Sequence, residues 1–404
     1  MLRTMSYLVG LMLLVMVWLH FQHRPAALAT SAQTSFTPAV QTLSGVISAG
    51  RYQVLVLDHI GSLHGWGKLD LPDVKKTSLP HAIPTTGDWR YIHAGSYTVY
   101  GIDSDKHLWR WSLGGSNRRE DGGMRSDTPF RQVFGERQWR KVEEHWRLGV
   151  GVDGLDKLWV WAEEAYDWTD PVLQENGAPR LFPAGDGGLD WRDICVGQGM
   201  FYAVDSHGGL WRSNLPKDSF KHILAKDERD GGVMPDRLPL TQIKADTRFS
   251  RVFCRENTYH VLALDEDHYL WGFGSTSFGE LGTGERNLKI AETGIRRLNE
   301  MQWLEIAIAP QTTYGIQADG SLWAWGQNGA VDGKSHYAPS LVDNSRSWIA
   351  IAAGYRNAAA LTEDGKLHTW GENIEGVLGT GDYPESRTLP AVVESDISWK
   401  SGGK

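Results

Sequence analysis

Glu143, Glu144 and His145 stand side by side, and two carboxylates next to an imidazole are the residue types that general acid–base catalysis draws on. In an extended strand successive side chains face opposite ways, so the three divide between two faces and read as solvated surface. Gly149, Gly151 and Gly154 spell Gly-x-Gly-x-x-Gly, which cradles phosphate where it opens a helix. Residues 155–161, which follow, have the composition of a strand. Asp103 with Asp105, and Asp265 with Asp267, resemble fragments of a calcium loop but lack the Gly and distal Glu that complete the coordination sphere, so they read as hairpin turns. The 14 histidines never show the close spacing of a zinc-binding helix, and no Gly-x-Ser-x-Gly elbow is present. The sequence thus predicts no catalytic residue, no cofactor and no metal site.

Binding residues are easier to nominate than catalytic ones. The segment 212–250 breaks the surrounding rhythm and gathers Lys217, Lys221, Lys226, Asp227 and Arg229 around Gly231-Gly232. Long connections in compact domains are more often functional than short ones. Trp146 and Trp168 fall outside the regular tryptophan pattern described next, which makes them candidates for exposed contacts. Residues 285–302 alternate apolar and polar side chains and read as a short helix or an outer strand.

That pattern comes from seven similar segments. Counting 19 residues from Ser44, Trp89, Trp139, Trp191, Arg251, Trp303 and Trp348 reaches Leu63, Leu108, Leu158, Leu210, Leu270, Leu322 and Leu367. A unit of about 45 to 60 residues recurring in this way suits one blade of a β-propeller. Tryptophans recur at the start of most copies and at offsets 20 and 22, for example Trp109 and Trp111. A strand apolar on both faces must be covered on both sides, as a blade between two neighbours is. Asp319-Gly320 and Asp364-Gly365 predict tight hairpins with positive φ at both residues. Trp399 begins an eighth copy that goes no further, so the C-terminal strand and the segment near Ser44 are expected to close the ring together. The expected fold class is all-β, a seven-bladed propeller over 44–404, preceded by a linker at 30–43 and an export signal or membrane anchor at 1–29.

Arg3, the almost wholly apolar run from Tyr7 to Phe21, and Ala27-Leu28-Ala29 support that export reading. The run is short for a bilayer span, which favours cleavage over anchoring. The formal net charge is -8, and removing 1–29 takes away two arginines and no acid. Such a balance disfavours binding nucleic acid through phosphate neutralisation. Cys195 and Cys254, the two cysteines, lie in the first strands of neighbouring copies at offsets four and three, which points their thiols to opposite sheet faces. Whether they pair is left open.

The third strands are followed by Trp325-Gly326-Gln327-Asn328 and by Trp370-Gly371-Glu372-Asn373-Ile374-Glu375-Gly376-Val377-Leu378-Gly379-Thr380-Gly381, with Gly279-Glu280-Leu281-Gly282-Thr283-Gly284 in the fifth copy. With Pro390 and Val392 beyond, this series resembles the repeats of the regulator of chromosome condensation family, most sharply in copies five to seven. The resemblance implies a seven-bladed propeller and protein binding through loops on one face. The expected function is that of an exported, non-enzymatic scaffold for a protein partner, monomeric, without nucleic acid, and touching a membrane only through an uncleaved N-terminus. The expected location is secreted or periplasmic, or anchored with the propeller outside the cytoplasm. Two other readings stand beside it: an envelope polysaccharide-binding or polysaccharide-acting protein, and an effector engaging a small GTPase as an exchange factor.

Overall fold

The computed structural model describes residues 43–400, apart from 72–73, 75, 86, 96–97, 114–129, 146–147, 163–173, 176–177, 180–181, 184–187, 198–199, 214–237, 245, 256–257, 328–333 and 382–385. Within these residues the chain is an all-β propeller of seven antiparallel four-stranded blades. Their inner strands are Ile47–Ala49, Trp89–Ala94, 139–145, Trp191–Gly197, Phe249–Phe253, 303–308 and Trp348–Ala353. Arg131–His145 and Arg296–Ile308 each run without a break from the outer strand of one blade into the inner strand of the next. Residues 285–302 accordingly hold a short 3-10 turn, Glu292–Gly294, and then an outer strand.

The tryptophans hold the blades together. Those that start blades two, three, four, six and seven are 0–2% exposed. Each lies against a tryptophan of a third strand: Trp89 on Trp109, Trp191 on Trp211, Trp348 on Trp370, and Trp139 on Trp161 and Trp303 on Trp325, these last two with centroids 5.6 and 5.2 Å apart. In three blades a glycine lies beneath the indole. A Cβ on Gly101, Gly151 or Gly315 would stand 2.4–2.5 Å from the ring of Trp89, Trp139 or Trp303. Gly149 likewise makes room for Trp161, so two glycines of the phosphate-loop-like series are packing residues of a second strand.

The hairpin between second and third strands is held by an aspartate rather than by two residues of positive φ. Asp103, Asp153, Asp205 and Asp265 each accept turn N–H groups on one oxygen and an indole Nε1–H on the other, the latter at 2.7 Å from Trp109, Trp159, Trp211 and Trp271. Asp103 and Asp265 are therefore turn residues, as their sequence context suggests. Positive φ falls on a single residue of each turn, such as Gly320 or Gly365, and not on the aspartate before it. The turn is longer than a two-residue hairpin, and one left-handed residue suffices to reverse it.

Blade one differs because the two ends of the chain build it jointly. Its inner strand begins at Ile47 without a tryptophan, and Trp399 supplies the missing ring. Trp399 bridges Asp58, the place that Trp89 and Trp191 take on Asp103 and Asp205 in their own blades. It is 3% exposed and stands 6.4 Å from Trp66, the separation that Trp348 keeps from Trp370. Ser398 O accepts from His59 N, and Leu43 N donates to Ile349 O. The expected closure of the ring is thus present. The start of the fifth copy shifts, however. Phe249, not Arg251, occupies the tryptophan place, its N–H bonded to Gly208 O as Trp303 N–H is to His268 O.

Trp399→Ala is expected to cost about 3–5 kcal/mol, the usual range for a buried tryptophan, and to lower the melting temperature measured by circular dichroism. Gly315→Ala is expected to cost roughly 1–3 kcal/mol by overpacking against Trp303, read as a lower denaturation midpoint with an unchanged slope.

Candidate functional site

A β-bulge sets the chemistry of the axis. In blades two to seven the inner strand changes register between the blade-start residue and the residue two places on, which bends the strand and re-aims that side chain. In blades two to six those side chains are Tyr91, Lys141, Asp193, Arg251 and Glu305, and all five line a cavity of about 850 Å³ around the axis. A smaller cavity of about 200 Å³ shares Ser48, His93, Lys141, Glu143, Arg251 and Glu305 with it and lies toward the other end of the inner strands.

Charges alternate around this waist. Lys141 Nζ lies 2.6 Å from Asp193 Oδ1 and 3.4 Å from Glu143 Oε1, and Arg251 Nη1 lies 2.7 Å from Glu305 Oε2. Asp193 Oδ2 also accepts from Val252 N, which ties blade four to blade five. Burial works against the Lys141 ammonium, but Asp193 and Glu143 together outweigh it and hold its pKa above the usual lysine value. The His93 pKa is lowered, first by burial, with Glu143 opposing. Glu144 N donates to His93 Nε2, so Nδ1 carries the proton and faces Glu143 Oε2 at 3.3 Å. Glu143 and Glu144 therefore belong to the axial wall and are not a solvated face. A strand that is innermost in a ring turns toward the axis what an isolated strand would turn to water.

Arg255 closes the narrow end. From blade five its guanidinium reaches across the axis to Ala353 O in blade seven and Ala49 O in blade one. Beside it Cys195 and Cys254 are joined, with Cα atoms 5.5 Å apart. Neighbouring blades meet through opposite faces of their sheets, so thiols that point to opposite faces are the ones able to meet. Offset parity alone therefore cannot argue against this bond.

The two rims of the propeller differ in a way set by strand order. First-to-second and third-to-fourth connections emerge on one rim, second-to-third turns and blade-to-blade connections on the other. The second-to-third turns are three to five residues long, whereas the third-to-fourth connections run from seven residues at 69–75 to 26 at 214–239. Lys217, Lys221, Lys226, Asp227, Arg229, Trp146 and Trp168 all lie outside the described residues, but the strands flanking them end on the long-connection rim. Sequence reading missed the axial ions, because a residue two places after a tryptophan has no signature of its own. Among the described residues no group of three His, Cys, Asp or Glu side chains is placed to hold a metal ion, and no helix is long and apolar enough to cross a membrane.

His260, 2% exposed in the second strand of blade five, is lowered to about 4 by burial. An imidazole whose native pKa is depressed contributes stability that is complete above the ordinary value of 6.5 and is lost as the pH falls toward 4, because the unfolded chain takes up a proton that the native strand refuses. The wild type is expected to lose about 3 kcal/mol over this window from His260 alone, and His260→Phe to flatten that limb in urea titrations run at stepped pH.

Residues 348–376 and 364–400 match the regulator of chromosome condensation (RCC1) repeat. The regulator of chromosome condensation of Xenopus laevis is 25% identical over 143 residues, which are 35% of this chain and 32% of that protein, so the match spans well under two thirds of the relative's length. Among solved structures, Prp20p from Saccharomyces cerevisiae, studied for its binding properties to Gsp1p and histones, aligns with a TM-score of 0.63 at 15% identity over 89% of this chain and 88% of its own. Yeast RCC1 (Prp20) with Kap60 bound gives 0.63 at 15% identity, covering 92% and 90%. Human WBSCR16 gives 0.61 at 15% identity, covering 80% and 86%. At such identity these alignments speak to fold, and function has to be argued from sites.

Proposed function

Because this chain is a β-propeller of the RCC1 repeat family, we propose that it is an exported, non-enzymatic scaffold that binds another protein through the rim bearing its long third-to-fourth connections. The observation that carries this reading is the asymmetry of the rims. One is kept to short turns pinned by aspartate–indole bonds, while length and residue variety accumulate on the other. Loops raised on a rigid scaffold are where binding residues concentrate, since they vary without disturbing the core. Relatives of the fold are protein binders: Prp20p binds Gsp1p and histones, and Kap60 binds yeast RCC1. The segment 214–237, with Lys217, Lys221, Lys226, Asp227 and Arg229, is assigned the main contact, and Trp146 and Trp168 are assigned further contacts.

Export belongs to the same proposal. The basic, apolar and small-residue series of 1–29 has the order of a secretory signal, and a bonded Cys195–Cys254 pair persists in an oxidising compartment. The mass of the mature N-terminus reads cleavage directly.

Affinity capture from the producing cell's envelope and surroundings is expected to recover one protein partner, with recovery falling about tenfold or more when 214–237 is replaced by a short Gly-Ser bridge. Ile60→Ser with Leu155→Ser, at exposed turns of the opposite rim, is expected to leave recovery unchanged. Equal recovery by the loop replacement would refute the rim assignment, and acceleration of nucleotide release from a small GTPase would replace the scaffold reading with an exchange factor.

A further inference from the structure

We propose that the wide axial cavity is a second site, on the rim opposite the protein-binding one, and that it takes a small amphipathic organic anion: a carboxylate or phosphate monoester carried on an apolar chain. Its volume of about 850 Å³ lies in the range of small-molecule sites. It opens at the short-turn rim, and Arg255 crosses the axis at the far end. A ligand has its entrance at the short-turn rim.

The wall decides the chemistry of the occupant. Six cationic side chains line the cavity against four carboxylates, in a chain whose overall charge is -8. The carboxylates are already engaged: Asp193 and Glu143 by Lys141, Glu305 by Arg251, and Asp103 by the turn N–H of His107 and the indole of Trp109. The cations at the mouth are held far more loosely. Arg90 and Arg192 pair with half-exposed acids at 3.6 and 3.5 Å, Arg192 also reaching Ser206 O at 3.4 Å, and Lys106 makes no ion pair among the described residues. Such surface pairs are worth little and exchange readily for a better-placed anion. Arg140 completes the arc, anchored by Asp156 and by Trp191 O and Arg192 O. Arg90, Arg140 and Arg192 are the bulge residues of three consecutive blades, so the arc is built by the same irregularity that aims Lys141 and Arg251 inward.

The arc covers only part of the ring. Blades seven and one contribute Leu43, Ile47 and Ile351 to the wall, with the hydroxyls of Ser44 and Ser48 and no charged side chain. An inorganic anion would leave that side unused, and a neutral apolar molecule would make no use of the arginines at the mouth. A molecule with an anionic head and an apolar tail satisfies both halves, the head under Arg90 and Arg192 and the tail along Ile47 and Ile351.

Isothermal titration of the full chain with octanoate, octyl phosphate and octanamide tests the site, the two anions distinguishing the head group. One-to-one binding of at least one anion at about 1 mM or tighter is expected, with octanamide at least about tenfold weaker. Arg90→Glu with Arg192→Glu is expected to weaken the anion about tenfold or more, while the melting temperature stays that of the wild type because both side chains project into solvent. Absence of saturable binding by either anion would overturn the proposal. So would octanamide binding as tightly as octanoate, or a charge-reversed protein that binds the anions unchanged. Capture of the protein partner through the loop-bearing rim is a separate readout, so either result leaves the other standing.

Discussion

The structure depends on one packing contact: an aromatic ring at the start of a blade, an indole everywhere but at Phe249, packs on an aromatic ring of the third strand, and in blades two, three and six it lies over a glycine of the second. Glycine is required because a Cβ there would enter the ring, as it would at Gly101 under Trp89 or Gly315 under Trp303. A tryptophan removes on the order of 200 Å² from water, so the same contact repeated around the ring supplies much of the apolar burial that holds the blades. Blade one makes the point by exception. Its own N-terminal strand lacks the indole, and the chain returns to the start of the ring so that Trp399 fills the vacancy.

The axis follows a different logic. Inner strands converge there. In blades two to seven the bulge after the blade start re-aims a side chain, and at Lys141, Asp193, Arg251 and Glu305 that side chain is charged. Buried charge is tolerated only when paired, and the alternation of sign from blade three to blade six provides the pairs across blade boundaries. Where alternation stops, in blades seven and one, the wall is uncharged, with Leu43, Ile47 and Ile351 beside Ser44 and Ser48.

Strand order then divides the labour between the rims. Turns that carry the aspartate–indole bonds have no freedom in length, because the aspartate must reach both the turn N–H groups and a ring six residues on. Among the described residues the third-to-fourth connections show no such bond, and they vary widely in length. The outer strands they lead to carry Pro80, Pro339 and Pro390, each next to a shift in register, which withholds an N–H donor from an edge that would otherwise offer itself to another sheet.

Periodicity made the blades legible. Recurrent leucine at offset 19 and tryptophan around it are local consequences of a repeated contact, so spacing alone announced the strands, the ring and the closing role of Trp399. Arg251 was misread as a blade start because Phe249 replaces the indole there, and the apolar place is recognised by its bond to Gly208 rather than by residue type. Glu143 looked solvated, and the cysteines looked turned apart, for a single reason. Alternation along a strand states which face a side chain takes, whereas only the assembled ring states what that face meets. The sequence by itself determined the repeating unit, since that is written in short-range spacing. The ionic waist, the bonded cysteine pair and the axial cavity were decided by tertiary structure, since each joins residues of different blades that no spacing rule connects.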